Sequence, residues 1–550
     1  MHRAESHYDC IVIGGGVTGS GAARDLAMRG LRVALIEKRD FGGGTTGASS
    51  GMIHGGLRYL TYDVRTTRLS CQDSGYIQKI APHCIFRIPF LFPVLEGGPV
   101  NRIFMELVES LFKAYDRYQP LKGGREHVRL SRDEALRIEP GLTPGIIGAV
   151  SMDEWGIDTF RLACMNAVSA AGHGAEVFNH ATVTGLLRSG AAVTGVKVKI
   201  AGDARELRGR VVLNAAGPWA MAVAGLAGLK VALRPAKGVH LIFDRRLVNC
   251  AVIITAIDGR SLFLQPHGDV SLLGTTDDDY YGDLDDVPVT GDEVEYLLQA
   301  AERVYPSIRR ARIIRAMAGV RPTLFQWGPN EDKLYREHAI HDHEQESGIA
   351  GFVTIAGGKL ASYRVMAEEV SDLVCRKLGV SAGCRTHLEP LPGGEERLDP
   401  EELAAEYGVP RYITRALVFR HGAGAREIAA SLGTGSTGRN VICACEGIIE
   451  AELRYSIRHE WARSLDDLRR RTRLGMGACQ GAGCAFKAAM VLGEELHLSP
   501  SSVRAEWDAF LQARWKGKRP ILMYGQLAQE SMARWLRPPV VGVRPEGSCS

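Results

Sequence analysis

The stretch YDCIVIGGGVTGSGAARDLAMRGLRVALIEKRD, Tyr8 to Asp40, decides the fold class of this 550-residue chain. Cys10 to Ile13 read as a short buried strand, and Gly14, Gly16 and Gly19 follow with G-x-G-x-x-G spacing. Small residues run on to Met28, Gly30 ends a helix, and Arg32 to Ile36 make a second strand that finishes at Glu37. Strand, glycine turn, helix, strand and acid in that order describe a βαβ unit that binds a dinucleotide. The first glycine permits the tight turn, the second lets a pyrophosphate approach the backbone, and the third lets helix and strand pack closely. The helix N-terminus offers amides and the positive end of its dipole to the phosphates, and Glu37 is the expected acceptor for the ribose hydroxyls. A bare glycine pattern also reads as a ligand-free turn; the complete βαβ setting favours the dinucleotide.

Three further junctions suggest how far that ligand extends. GTTGASSGMIHGGLRYL (Gly44 to Leu60) brings glycines and small hydroxyl residues directly after the second strand, suited to backbone packed against a large flat ring. RGRVVLNAAGPWA (Arg208 to Ala220) is a buried strand breaking at Ala215-Ala216-Gly217, and GFVTIAGGKLASYRVMAEEV (Gly351 to Val370) is a strand, a Gly357-Gly358 turn and an amphipathic helix. Each alone reads as an ordinary turn, but together they fit one extended cofactor.

Whole-chain properties bound the rest. A chain of 550 residues exceeds the roughly 250–300 residues at which one core stops growing, so two or more domains are expected. Sixty-seven basic and 63 acidic residues leave a net charge of +4, too small at this size to imply a nucleic-acid partner. No window carries the ~20 consecutive apolar residues a membrane-spanning helix needs. The apolar run near the N-terminus is short and followed by glycines, a poor signal peptide. The twelve cysteines are therefore expected in a reducing cytosol, where clustered thiols bind metal or do chemistry more often than they form disulfides.

Four cysteines gather late in the chain. Cys443 and Cys445 form C-x-C, and Cys479 and Cys484 form C-x4-C. Between the pairs Ile449, Leu453, Ile457 and Trp461 recur at four-residue steps, and Ser464 with Asp467 starts a second helix by capping-box logic. A helical hairpin would bring the pairs together. Gly475, Gly477, Gly481 and Gly483 let backbone amides approach sulfur and stabilise its negative charge. Four thiolates suit a [2Fe-2S] cluster, and CACE with GACQGAGC resembles the bacterioferritin-associated ferredoxin domain. Zinc is the alternative, although structural zinc sites usually begin with knuckles such as C-x2-C.

Residues 8 to about 385 resemble the FAD-dependent glycerol-3-phosphate dehydrogenases, through YDCIVIGGGVTGSGAARDLAMRG, IHGGLRYL, NAAGPW, KGVHL, LLGTTDDDY, AGVRPT and GGKLASYR in the family's order. ELRYSIRHEWARSLDDLRRRTRLG is similar to the family's helical C-terminal domain. The chain departs from many aerobic members at Gly51, where they carry lysine, and at Ala361-Ser362, where they carry a threonine pair. The resemblance implies oxidation of sn-glycerol 3-phosphate to dihydroxyacetone phosphate, with hydride passing from C2 to flavin N5. With the iron-sulfur segment it points to the anaerobic-type catalytic subunit, whose electrons leave through partner subunits toward quinone.

The same resemblance implies the site. Arg58, Tyr59, Arg321, Arg336 and Lys359 are expected around the substrate, and cations there suit a phosphate, which arginine binds bidentately. His240 is the first candidate for the group that touches the C2 hydroxyl, with His54 and Arg321 as rivals. Beyond the three glycines and Glu37, the expected FAD contacts are Thr18, Lys38, Ser49, Ser50, His54, Ala216, Gly217, Gly357, Gly358 and Lys359.

The implied architecture is α/β plus α. A Rossmann-like FAD domain of glutathione-reductase type (about 6–80, 150–230 and 340–385) receives an inserted β-rich substrate domain (about 81–149 and 231–339). Residues 386–402, rich in proline, glycine and acid, read as a linker, and 403–550 as a helical domain carrying the 443–484 segment. Residues 75–95 read equally as a membrane-touching surface or as buried substrate-domain chain. The expected location is the cytoplasm, with attachment at the inner face of the cytoplasmic membrane left open. Competing classes are an amine or 2-hydroxyacid oxidoreductase on the same fold and a non-catalytic electron-transfer protein.

Overall fold

The computed structural model describes residues 7–96, 100–328, 337–433, 437–523 and 525–535. Two large sheets and a helical C-terminal part build it. In the first sheet the strands stand in the order His338–Asp342, Phe352–Gly357, Asp203–Asn214, His7–Ile13 (β1), Val33–Ile36 (β2) and Glu176–Phe178. Ala181–Ser189 and Ala192–Ile200 form an antiparallel ribbon off Asp203–Asn214.

β1 is apolar throughout its inner part because both of its faces are covered. Cys10 and Val12 pack under the helices Val17–Met28 (α1), Thr159–Gly172 and Tyr363–Leu378, while Ile11 and Ile13 pack with the ribbon and Ala220–Gly225 on the other side. β1 runs parallel to β2 and to Asp203–Asn214, with Ile13 opposite both Ile36 and Asn214; Phe352–Gly357 is parallel to the last of these. All four strands therefore end on one edge, where Gly14, Glu37, Ala215 and Gly358 begin. The separate glycine junctions of the sequence are one crevice at the carboxyl ends of a parallel sheet, where such folds bind ligands.

The second sheet has the order Asp278–Asp279, Ala236–Phe243, Val270–Gly274, Ser261–His267, Ala251–Thr255, Ile85–Leu95, Ile146–Ile157 and Val128–Ser131, with Ile313–Arg321 on the other flank of Ala236–Phe243. Val239, Leu241, Leu264 and Leu273 bury themselves under helix Gly291–Glu302. The expected boundary at residue 150 falls inside a strand. Ile146–Ile157 pairs with Ile85–Leu95 along its whole length, from Ile85↔Ile157 to Leu95↔Ile146, and the flavin-side chain resumes at Asp158, the N-cap of Thr159–Gly172. The apolar character of 85–95 is that of an interior strand: Ile88, Phe90, Leu91 and Val94 are buried. Among the described residues no helix is long and apolar enough to cross a membrane.

The C-terminal part is mostly helical, with a small sheet of Val441–Cys443 and Ile448–Ile449 that periodicity did not suggest. The helices Glu450–His459 and Leu465–Thr472 form the expected hairpin, and Ser464 with Asp467 makes the capping box. Leu453 and Ile457 enter its core, but Trp461 does not continue the stripe: the helix has ended, Trp461 takes φ +55°, and its ring meets Phe41 edge-on at 5.9 Å in the flavin domain. The proline-rich 386–402 stretch packs tightly at its start. Arg24 donates to the carbonyls of Thr386 and Glu389, and Leu391 is fully buried with its amide on the Ile80 carbonyl.

Buried ion pairs fix the C-terminal part to the part built on the first sheet. Asp40 accepts from Arg470 and Arg471, at 2.7 and 2.6 Å, and Arg161 meets Glu460 at 2.8 Å. Burial works against the Asp40 charge, yet Arg471 and Arg470 hold its carboxyl well below the usual range. Breaking such a pair costs about 3–5 kcal/mol, so the two parts keep one relative position.

Candidate active site

A cavity of about 850 Å³ begins at the crevice of the first sheet and continues against the second. The three glycines at its start have separate tasks. Gly14 sits at φ +113°, where a Cβ would lie 2.6 Å from the Ala215 carbonyl, and a Cβ on Gly19 would lie 1.9 Å from the Gly14 carbonyl. A Cβ on Gly16 would meet only the Thr46 hydroxyl, at 3.3 Å. Gly16, Val17 and Thr18 line the cavity; the N-cap Gly16 has no side chain to cap α1, and the Thr46 hydroxyl takes the Val17 amide at 3.1 Å. Backbone bare of Cβ at a helix N-terminus fits a pyrophosphate.

Glu37 lines the same cavity, but each of its oxygens already has a backbone partner: Oε2 accepts from the Gly15 amide at 2.6 Å and Oε1 from the Arg39 amide at 2.8 Å. A carboxylate oxygen has lone-pair capacity for a second donor, so a ribose hydroxyl still fits. Burial pushes the Glu37 carboxyl above its usual range against those amides. Lys38 lies 4.1 Å from the centre of the Trp219 ring.

Cations and imidazoles meet elsewhere in the wall. Strand pairing sets Ala236 opposite Arg321 and His240 opposite Met317 and Gly274, so one short strand places both expected residues. His240 Nε2 is 2.8 Å from the Ser50 hydroxyl, and its Nδ1 is buried without a partner among the described residues. Burial, with the Arg321 charge, pushes this imidazole down to about 3, so it is neutral at ordinary pH. The Arg321 fork reaches Asp277 Oδ1 at 2.9 Å and Thr275 Oγ1 at 3.2 Å. Tyr59 lies between two cations, Lys359 Nζ at 4.9 Å and the Arg58 guanidinium at 5.0 Å from its ring centre.

Lys359 donates to the His54 carbonyl at 2.9 Å, and burial pushes its ammonium below its usual value. Burial, then Lys359, Arg58 and Lys122, drives His54 far below its ordinary range. One depressed ammonium, Lys359, and two depressed imidazoles in one cavity describe a place that an anion would relieve.

Of the residues expected from sequence, Thr18, Lys38, Ser49, Ser50, Ala216, Gly217, Gly357 and Gly358 also line this one cavity. Gly19 does not; it supports the turn beneath. Arg336 lies outside the described residues. Sequence reasoning missed Thr46, whose hydroxyl accepts from the Val17 amide, and Trp219 and Asp277, although all three stand inside motifs it had singled out. It also missed the buried Lys122–Glu154–Tyr115 set behind Gly55, where Lys122 meets Glu154 at 2.6 Å.

The cysteine loop stands as two pairs. Cys445 and Cys479 have their sulfurs 3.7 Å apart, and Cys443 is hydrogen-bonded to Cys484, which holds the Cys443 thiol down to about 6. A Cβ on Gly477 would lie 2.4 Å from the Cys445 Cβ, so glycine there makes room for the Cys445–Cys479 pair. Among the described residues no three His, Cys, Asp or Glu side chains converge on one point fit for a metal ion.

Residues 9–372 match the family model of FAD dependent oxidoreductases, and residues 384–503 that of the C-terminal domain of alpha-glycerophosphate oxidase. The chain is 37% identical to an anaerobic glycerol-3-phosphate dehydrogenase subunit of Escherichia coli (strain K12), over 99% of this chain and 98% of that protein. It is 36% identical to a subunit of the anaerobic glycerol-3-phosphate dehydrogenase of Haloferax volcanii, over 96% and 89%. The fold resembles that of a glycerol-3-phosphate dehydrogenase from Bacillus halodurans solved with FAD, with a TM-score of 0.74 at 24% identity, covering 95% of this chain and 97% of that one. With its two matched regions in order along nearly the whole length, the chain belongs to the FAD-dependent oxidoreductases and, within them, to the family of these anaerobic glycerol-3-phosphate dehydrogenase subunits.

Proposed function

We propose that the protein oxidises sn-glycerol 3-phosphate to dihydroxyacetone phosphate with FAD and passes the electrons through a [2Fe-2S] cluster toward quinone. The observation that carries this reading is the meeting of Arg58, Lys359 and Arg321 with two neutral imidazoles in a cavity that begins at a dinucleotide turn. Arg58 and Lys359, with Arg321 already paired to Asp277, suit a phosphate dianion better than the single carboxylate of an amino acid or 2-hydroxyacid.

FAD, when bound, supplies the acceptor for the hydrogen and electron pair leaving C2. The chain supplies the rest. The amides at the start of α1 that remain free would hold the pyrophosphate, and Glu37 would accept from the ribose. Arg321, Arg58 and Lys359 bind the phosphate, and Tyr59 spaces two of these cations. His240, neutral and 2.8 Å from the Ser50 hydroxyl, would accept the C2 hydroxyl proton, with His54 a second imidazole lining the same cavity. The substrate thus loses two electrons and two protons.

The cysteine chemistry supports iron and sulfur over zinc, because two separated thiol pairs suit two metal centres with two ligands each, whereas one zinc needs four donors about a single point. Cys443 with Cys484 and Cys445 with Cys479 would be those pairs. The relatives are named as one subunit of an enzyme, which supports partner subunits for this chain; electron transfer toward quinone would put them at the inner face of the cytoplasmic membrane.

Arg321→Ala tests the substrate. Losing a charge-assisted hydrogen bond to phosphate costs about 1.5–3 kcal/mol, so KM for sn-glycerol 3-phosphate is expected to rise roughly 10- to 150-fold. The weak turnover of glycerol, which lacks the anion, should change far less. Steady-state kinetics with both compounds decides the point, and equal losses on both would remove Arg321 from the phosphate.

A further inference from the structure

Arg473 joins the two halves of the proposed electron route. It is the C-cap of helix Leu465–Thr472 and sits at φ +66°, a left-handed conformation costly for a residue with a Cβ. Its Nε donates to Glu446 at 2.9 Å, the residue after Cys445. Its Nη1 meets His267 Nε2 at 3.3 Å and lies 3.6 Å from Asp158 Oδ2. A guanidinium only donates, so the ring nitrogen accepts.

His267 ends strand Ser261–His267 and lies against the cavity wall from outside. A Cβ built on Gly51 would be 3.5 Å from its ring, and Gln265, two residues back, donates to the Ser50 carbonyl at 2.6 Å. The Ser50 hydroxyl holds His240. Hydrogen bonds therefore run from Glu446, next to Cys445, through Arg473 to His267, and from Gln265 of the same strand to Ser50. Two residues beyond Arg473, the Gly475 amide hydrogen-bonds Cys443.

We infer that Arg473 is a positioning residue for electron transfer, docking the cysteine loop on the flavin wall and holding a positive charge beside the cluster. This deepens the [2Fe-2S] reading and rests on it. In the step served, the reduced flavin loses one electron and the cluster gains one, a ferric iron becoming ferrous, with no covalent bond made or broken. The second electron follows once a quinone-class acceptor has taken the first. The reduced cluster is one unit more negative, so a nearby cation stabilises it and raises its midpoint potential. Without Arg473 the Glu446 carboxylate would lose its ion pair there, and Asp158 would keep only the helix amides of Phe160 and Arg161.

The test compares Arg473→Leu and Arg473→Lys in the full chain carrying FAD and iron. With Arg473→Leu, iron and flavin content and the rate of flavin bleaching by sn-glycerol 3-phosphate should stay within about twofold of wild type, because the substrate chemistry is elsewhere. The growth of the reduced-cluster EPR signal after mixing should slow at least about tenfold, and the midpoint potential should fall by about one tenfold step in the one-electron equilibrium, about 59 mV. Arg473→Lys should restore most of the potential, since it keeps the charge, but not the rate, since one ammonium does not span Glu446 and His267. Wild-type rate and potential in Arg473→Leu would overturn the inference, as would iron loss in both variants, which would make Arg473 a structural clasp. An iron-free wild type would instead refute the cluster reading itself.

Discussion

Gly16→Val is expected to give a folded protein without flavin. Gly14 and Gly19 are packed against backbone, so a side chain at either breaks the turn; at Gly16 the only close neighbour of an added Cβ among the described residues is the Thr46 hydroxyl. The valine methyls therefore extend into the space the pyrophosphate needs while the sheet stays intact. Bound flavin should fall to less than about a tenth of wild type, measured as yellow absorbance per chain, with little change in thermal unfolding of the apo-protein. Gly19→Val, whose Cβ collides with the Gly14 carbonyl at 1.9 Å, should instead lower stability and solubility. A fully flavinated Gly16→Val would contradict the placement of FAD.

Cys479→Ser is expected to separate two activities. The Cys479 sulfur lies 3.7 Å from that of Cys445, so its loss breaks one of the two pairs. Iron, about two per chain in the wild type as four thiolates imply, should drop sharply, with negligible zinc in either protein. Flavin bleaching by sn-glycerol 3-phosphate should continue, because the cavity is built from other elements. Transfer to the natural acceptor chain should fall about 100-fold or more, whereas a dye that takes electrons directly from flavin should still be reduced. Stoichiometric zinc, or equal loss of flavin bleaching, would defeat the cluster assignment.

Much of the site was legible in the sequence because its chemistry demands particular residues at short spacing. The Gly14, Gly16, Gly19 turn and the capping box of Ser464 are local patterns, and each took its expected shape, while Glu37 ends the second strand with its oxygens on the Gly15 and Arg39 amides. What escaped depends on distant partners. Arg473 and His267 are 206 positions apart, and Lys122 reaches the buried Glu154 only once helix and sheet have closed over both. The strand Ile146–Ile157 hid the domain boundary because an interior strand and a flavin-domain strand are both simply apolar. Trp461 kept the helical period although the helix had ended, its apolar ring being needed against Phe41 in the neighbouring domain.

The most direct measurement mixes the purified wild-type chain anaerobically with sn-glycerol 3-phosphate and follows flavin absorbance and the EPR signal of the cysteine site together. The account predicts flavin bleaching at once, followed by a reduced [2Fe-2S] signal, with no response to amino acids or 2-hydroxyacids. Bleaching by those compounds and none by sn-glycerol 3-phosphate would contradict it.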